Sequence, residues 1–174
     1  MVSHIHIEIS YIDADSTTIP NASPTIRQAI KAAMAETGHL QDASVEISVV
    51  VANDHFLQGL NKKYRKLNRP TNVLAFPINQ ENQEKGKDFP IVLGDIVLSI
   101  ESVLSEAIEQ RKTASAHLCH LVIHGLLHLL GYDHATSSEA DLMETTERKV
   151  LSKIGIGDPY ANASDSSTTA QQAL

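Results

Sequence analysis

The spacing of apolar residues along the chain predicts strands and helices that alternate. Polar and apolar residues alternate over residues 4–12, which is the period of a strand with one buried face. Apolar residues recur every three or four positions between Pro24 and Gly38, which predicts a helix that this glycine ends. The same two patterns predict strands over 45–52, 73–76 and 91–99, and helices that begin near Asn53, Ile100, Ala114 and Ser138.

The order of these elements predicts one α/β (α+β) domain, with a small sheet of about four strands and helices packed against it. Ser138 and Asp141 form a candidate capping box for the last helix. A polar stretch over 79–89 predicts a mobile surface loop. Beyond Gly157 the chain becomes too polar to form a core, so we expect a domain over 1–157 and a polar, disordered tail over 158–174.

The helix predicted over about 114–130 carries the candidate chemistry. It is apolar on most sides, as a helix packed all round is, and it leads into His124, His128 and His134 in the pattern H-x3-H-x5-H. Histidines four apart project from one face of a helix, and a left-handed Gly131 can end the helix and return the third histidine. Three imidazoles suit zinc and leave its fourth position open, as in catalytic zinc sites. We predict one zinc ion per chain, although nickel, copper and iron also accept imidazole ligands.

Two other positions limit this interpretation. Peptidases of the H-E-x-x-H type carry a glutamate base directly after the first histidine, but Gly125 stands there, so a base would have to lie elsewhere. His120 and His117 extend the histidine face backwards, yet His120 and His128 are ~12 Å apart along the helix axis. We therefore expect His120 to support the site or to pack between helices.

Composition and charge restrict the class of protein. The net charge of −7 over 174 residues excludes bulk electrostatic binding to nucleic acid, so any contact with RNA must be local, and none with DNA is expected. The single cysteine, Cys119, and the absence of a long apolar run favour a cytoplasmic protein with no membrane span. Five of the fourteen Lys and Arg residues nevertheless cluster in one segment, which by composition is equally a phosphate site or a solvated face: Lys62, Lys63, Arg65, Lys66 and Arg69.

The histidine motif, read as His-Gly-Leu-Leu-His-Leu-Leu-Gly-Tyr-Asp-His over 124–134, resembles the signature of the bacterial YbeY family. These are single-strand-specific endoribonucleases that act in rRNA maturation. Further matching motifs stand in the family's order and cover roughly residues 50–155: Leu60-Asn61, Tyr64-Arg65, Pro70-Thr71-Asn72-Val73-Leu74, Phe76-Pro77 and Leu93-Gly94-Asp95-Ile96.

The resemblance implies a mostly parallel sheet with the site in a cleft, zinc on the three histidines and a functionally important Arg65. It also implies processing of the 3′ end of 16S rRNA, ribosome quality control, and the ribosome or small-subunit proteins as partners. Asn72 stands where the family commonly has aspartate, and Ala75 where it usually has serine.

The physical interpretation agrees with this role. Zinc can activate water and polarise a phosphoryl oxygen, and Arg65 suits the phosphate charge that develops. Lys62, Lys63, Lys66 and Arg69 would then follow the RNA backbone. Either a zinc hydroxide or the 2′-hydroxyl of the RNA can be the nucleophile. Two alternatives stay open at this point, which are a metalloprotease-like hydrolase and a non-catalytic ribosome-associated factor with a structural metal.

Overall fold

The computed structural model describes residues 4–40, 42–83 and 89–161. Four strands and five α-helices follow one another in the predicted order, with one short 3-10 helix over Gln80–Asn82. The strands are β1 (His4–Ile12), β2 (Ser44–Ala52), β3 (Val73–Pro77) and β4 (Ile91–Ser99). The helices are α1 (Ala22–Thr37), α2 (Asp54–Arg65), α3 (Ile100–Glu109), α4 (Ala114–Leu129) and α5 (Ser137–Lys153).

The strands form one sheet in the order β1-β2-β4-β3. Strands β1, β2 and β4 are parallel, and β3 pairs antiparallel with β4. Parallel neighbours need crossover connections, which α1 provides between β1 and β2. The prediction of a mixed, mostly parallel sheet of four strands is confirmed.

The sheet separates two apolar clusters of unequal size. The larger joins α1, α4 and α5 to residues such as Ile47, Val49 and Ile96 on one face. The smaller lies on the other face, where Leu57 of α2 meets Leu74 and Val97. Helix α4 is thus enclosed by other helices and the sheet, which is why its sequence is apolar on most sides.

Gly94 lies at an irregularity in the pairing of β4 with β2. The β2–β4 register steps from Glu46–Val92 to Ile47–Gly94, so one residue of β4 has no partner in β2. Gly94 has φ +135°, and a Cβ atom there would lie 2.1 Å from the carbonyl oxygen of Phe76. Only glycine allows β3 to approach β4 so closely at this point.

The last helix begins earlier than predicted. Its capping box is Thr136 with Glu139, not Ser138 with Asp141, because the Thr136 hydroxyl accepts from the Glu139 amide while Glu139 accepts in return. In the polar stretch over 79–89 the described residues include the 3-10 helix, and residues 84–88 lie outside the described residues.

The end of the chain is described as far as residue 161. Tyr160, which falls within the segment expected to be a tail, packs against α4 and α5. The rest of that segment, 162–174, lies outside the described residues, so the division into domain and tail stays a prediction. Among the helices of the described ranges, none combines the length and apolar character needed to cross a membrane.

Candidate metal centre

The three histidines of the motif meet at the C-terminal end of α4. Gly131 has φ +91°, and the Tyr132 amide donates to the Leu127 carbonyl at 2.9 Å, so the chain reverses directly after the helix. This reversal returns His134 to the helix end, where its ring stacks on that of His124 at a centroid distance of 5.6 Å. One ligand nitrogen from each histidine lies within 4.8 Å of the others.

The distance between the two helical imidazoles fits a tetrahedral ion. Nε2 of His124 and Nε2 of His128 are 3.2 Å apart. Two ligands at zinc–nitrogen distances of 2.0–2.1 Å and the tetrahedral angle would be about 3.3–3.4 Å apart. The described residues thus hold these two ligand atoms at the spacing of a metal site.

The partners of the other ring nitrogens explain why these Nε2 atoms are available. Nδ1–H of His124 donates to Oε1 of Glu147 at 2.7 Å, and Nδ1–H of His128 donates to the Tyr132 carbonyl at 3.0 Å. Both acceptors keep the proton on Nδ1, so both Nε2 atoms carry lone pairs. Two facing lone pairs cannot bond to each other, whereas a cation between them satisfies both.

Burial also keeps His128 in the form that binds metal. Its pKa is lowered, first by burial and then by the neighbouring rings of His124 and His134. A lowered pKa favours the neutral imidazole, which is the form that ligates a metal.

Glu147 of α5 accepts hydrogen bonds from several side chains behind the histidines. It is fully buried, and besides His124 it accepts from Nε2–H of His120 at 2.9 Å and from the Tyr160 hydroxyl. Burial alone raises the pKa of its carboxyl, but the hydrogen bonds from His120, His124 and Tyr160 outweigh burial and hold it at about 2. Burial raises the pKa of Tyr160, and so does its hydrogen bond to the negatively charged Glu147. His120 thus bonds to the carboxylate that holds His124 and also joins α4 to α5, so its expected role, supporting the site or packing between helices, stays a prediction.

Gly125 has a structural reason for lacking a side chain. A Cβ atom there would lie 2.9 Å from Cγ2 of Ile96 and 3.4 Å from Cγ2 of Val73. Helix α4 therefore approaches β3 and β4 closely at this position, and the first carbon of any side chain there, a glutamate included, would crowd Ile96.

Arg65 lies on the same cavity as the histidines. This cavity, the metal cavity, has a volume of about 320 Å³ and is also lined by Thr71, Asn72, Asp133 and Gly125. Arg65 is exposed, and its side chain has no ion pair or hydrogen bond within the described part of the chain. The end of α2 thus presents an unpaired guanidinium to the cavity that holds the candidate metal ligands.

The other predicted basic residues are dispersed. Arg69 lines an adjoining cavity of about 320 Å³ that shares Arg65, Thr71 and Asn72 with the metal cavity. Lys62 is exposed, Lys66 donates to the Lys63 carbonyl at 3.2 Å, and Lys63 stands over the Tyr64 ring at 5.0 Å. These three lysines do not line either cavity.

The two departures from the family pattern both lie at the metal cavity. The Asn72 amide donates to the Glu106 carboxylate at 3.0 and 3.2 Å, and Glu106 also accepts from His117 Nε2–H at 2.6 Å. An aspartate at 72 would instead face the carboxylate of Glu106, so asparagine suits this neighbour. Ala75 lines the cavity without a polar group.

Glu147 is a residue of the site that the sequence motifs do not identify, although its position on α5 indicates a buried polar contact. It stands four positions after Met143 and four before Leu151, and both of these are buried on α5. A glutamate on the buried stripe of a helix needs partners, because an unpaired buried charge is costly. That pattern indicates a buried polar contact, but it does not identify the histidines as the partners.

Comparison with known proteins decides the family. The model of the family described as Endoribonuclease YbeY matches residues 9–155. The chain belongs to this family. A relative named Endoribonuclease YbeY from Rhodopseudomonas palustris (strain BisA53) is 42% identical over 141 residues, which is 81% of each chain.

Two further relatives with that name agree. The protein from Azorhizobium caulinodans is 38% identical over 157 residues, which is 90% of this chain and 97% of the relative. The protein from Paramagnetospirillum magneticum is 46% identical over 122 residues, which is 70% of this chain and 74% of the relative. The resemblance found in the motifs is confirmed over most of the chain.

Proposed function

We propose that this YbeY-family endoribonuclease cleaves single-stranded rRNA with one zinc ion on His124, His128 and His134 and with Arg65 on the substrate phosphate. Family membership makes the chain an endoribonuclease with a role in rRNA processing. The observation that supports the proposed roles is the placement of an unpaired guanidinium on the same cavity as three converging imidazoles. A metal and a cation facing one cavity suit an anionic phosphodiester.

The chain's own residues would act as follows. Glu147 and Tyr132 hold the imidazoles of α4 with Nε2 toward the cavity, and Arg65 donates from a planar fork to the non-bridging oxygens of the phosphate. The negative charge that develops on those oxygens is greatest in the transition state, where the guanidinium contributes most. When bound, zinc supplies Lewis acidity and lowers the pKa of a water ligand.

The peptidase alternative is disfavoured by Gly125, because the glutamate base of the H-E-x-x-H motif is missing at this position and a Cβ atom there would crowd Ile96. The zinc ion, the restriction to single strands, the 16S rRNA 3′ end, the ribosomal partners and the cytoplasmic location all belong to the proposal. Lys62, Lys63, Lys66 and Arg69 are proposed to follow the RNA backbone, Arg69 from the adjoining cavity and the lysines from the surface beside it.

Cleavage of a single-stranded RNA by zinc-loaded protein tests the proposal, with His128→Ala and Arg65→Gln compared under the same conditions. We expect His128→Ala to abolish cleavage and zinc binding, and Arg65→Gln to lower kcat/KM while zinc binding is retained. Circular dichroism checks that both variants are folded. Equal cleavage by wild type and His128→Ala would refute a role of the metal in the reaction. Unfolding of the wild type on removal of zinc would favour a structural metal instead.

A further inference from the structure

A second cavity adjoins the metal cavity and is not used by the proposed reaction. This side cavity has a volume of about 930 Å³ and lies between the end of α3, the start of α4 and residues 159–160. Its volume is within the range of sites for small organic ligands. The lining residues that matter here are Asn72, Glu106, Gln110, Arg111, His120 and Tyr160.

The side cavity is joined to the metal centre by shared residues. Asn72 lines both cavities. His120 lines the side cavity one helical turn before His124, which is about 6 Å along the α4 axis. Glu147 accepts from both of these histidines. A strand whose phosphate lies in the metal cavity can therefore place a neighbouring nucleotide in the side cavity.

The cations of the side cavity differ in availability. Lys112 is engaged, since it donates to Gln110 Oε1 at 2.9 Å and to the Pro159 carbonyl at 2.8 Å. Arg111 is exposed and, within the described ranges, its guanidinium has no ion pair or hydrogen bond. Its charge is therefore available to an anion that enters the cavity.

The backbone of Arg111 makes the presence of this side chain notable. Arg111 has φ +54° and follows the last turn of α3, which the Lys112 amide closes on the Ala107 carbonyl at 2.9 Å. Glycine is the usual residue at this left-handed position, because other residues are strained there. An arginine thus stands where the fold alone favours glycine, as Lys66 does at the end of α2.

The acidic and amide groups suit a base rather than a second phosphate. Glu109 is exposed and lines the side cavity beside Glu106 and Gln110, whose oxygens already accept from Asn72, His117 and Lys112. A carboxylate such as that of Glu109 can accept from the amino group of a nucleobase. The carboxylates of Glu106 and Glu109 disfavour a phosphate next to them, whereas the guanidinium of Arg111 favours one beside it. Bases of single-stranded RNA are unstacked and open to contacts of this kind.

We propose that the side cavity is a nucleotide subsite, which binds the base next to the scissile phosphate while Arg111 binds the phosphate of that nucleotide. The proposal rests on the proposed ribonuclease function. Arg111 is a binding residue here and takes no part in the bond cleavage.

Arg111→Gly separates this role from folding, because glycine relieves the left-handed strain while it removes the guanidinium. We expect the melting temperature of this variant to equal or exceed that of the wild type. The probe is a 2′-O-methyl single-stranded oligonucleotide, which cannot be cleaved by attack of its own 2′-hydroxyl, and gel electrophoresis checks that it stays intact. Its binding is followed by fluorescence anisotropy at several salt concentrations. Arg111→Gln is measured beside it and keeps a long side chain, and Lys31→Ala on the exposed side of α1 is the control.

We expect both Arg111 variants to bind about fivefold more weakly at low salt. The slope of log Kd against log salt should fall by about 0.7, which is the contribution of one phosphate contact to a single strand. Lys31→Ala should change neither quantity. Unchanged affinity and slope in the Arg111 variants would overturn the proposal.

Shortening the oligonucleotide one nucleotide at a time from either end locates the subsite. In the wild type, one removal should cause a distinct loss of affinity, and Arg111→Gly should lack that step. The same steps in both proteins would refute the subsite. Cleavage of natural RNA by wild type and His128→Ala is measured separately. If the wild type does not cut, the proposed function fails, whereas the binding series still decides whether the cavity holds a nucleotide.

Discussion

Replacing Glu147 by glutamine should weaken metal binding while leaving the fold in place. The glutamine has nearly the same shape, and its oxygen can still accept from Nδ1–H of His124. Its NH₂ group would then face His120, which can move its proton to Nδ1, a buried atom with no partner among the described residues. What is lost is the negative charge that fixes the His124 tautomer and increases the basicity of its Nε2.

The size of the effect follows from the contacts. A hydrogen bond to a charged group contributes about 1.5–3 kcal/mol, and Glu147 is fully buried, so water does not compensate. Substitutions of the partners that orient metal-ligating histidines cost about 10–100-fold in metal affinity or activity, or about 1.4–2.7 kcal/mol. We expect Glu147→Gln to bind zinc about 10–100-fold more weakly than the wild type does.

Competition for zinc with a chromophoric chelator measures this affinity directly. Glu144→Gln is the matched control, since Glu144 lies on the same helix and pairs with Arg148 at the half-exposed surface. It should leave zinc affinity unchanged, because such surface pairs contribute little. If Glu147→Gln binds zinc as tightly as Glu144→Gln does, then Glu147 only packs α5 against α4, and the orienting role is refuted.

Three further predictions concern packing and reactivity. Gly125→Ala should lower the melting temperature by a few degrees, as measured by calorimetry. The new methyl group would overpack against Ile96 at a cost of about 1–3 kcal/mol, which exceeds the ~1 kcal/mol gained in helix propensity. An increase in melting temperature would mean that α4 can move away from the sheet freely. Gly94→Ala should cost about 3 kcal/mol or more in urea unfolding, since its Cβ would overlap the Phe76 carbonyl, and a cost below 1 kcal/mol would contradict this close approach. Burial raises the pKa of Cys119 to about 11. At pH 8 its thiol should therefore react with a disulfide reagent only after unfolding. Rapid reaction of the native protein would show that helix α4 opens.

The features predicted correctly from the sequence are those that depend on nearby residues. The strand over 4–12 and the turn at Gly131 need only local periodicity and one glycine. The two histidines of α4 lie four positions apart, so the helix itself places them together. The capping box of α5 was placed two residues late, because Thr136-x-x-Glu139 and Ser138-x-x-Asp141 both fit the pattern and only the hydrogen bonds select the first.

The groups behind the site depend on contacts between distant elements. Glu147 is 23 residues from His124, and Tyr160 is 40 residues from His120, so no local spacing relates them. Arg65 could be linked to the site only through the family resemblance, because its placement depends on how α2 packs against β3 and β4. Even so, a glutamate on the buried face of α5 was a visible sign that a buried polar partner existed.

Gly125 connects the packing of α4 to the kind of substrate the site can accept. The residue lines the metal cavity and also faces Ile96, so a side chain there would fill the cavity or push the helix from the sheet. In the proposed reaction, the charge beside the metal is the guanidinium of Arg65, which lies on a different helix and is positive where a glutamate would be negative. A guanidinium attracts a phosphodiester already in the ground state, because that group carries a negative charge, whereas the carbonyl of a peptide is neutral until the transition state. The same glycine that lets α4 pack against the sheet therefore favours RNA over a peptide as the substrate.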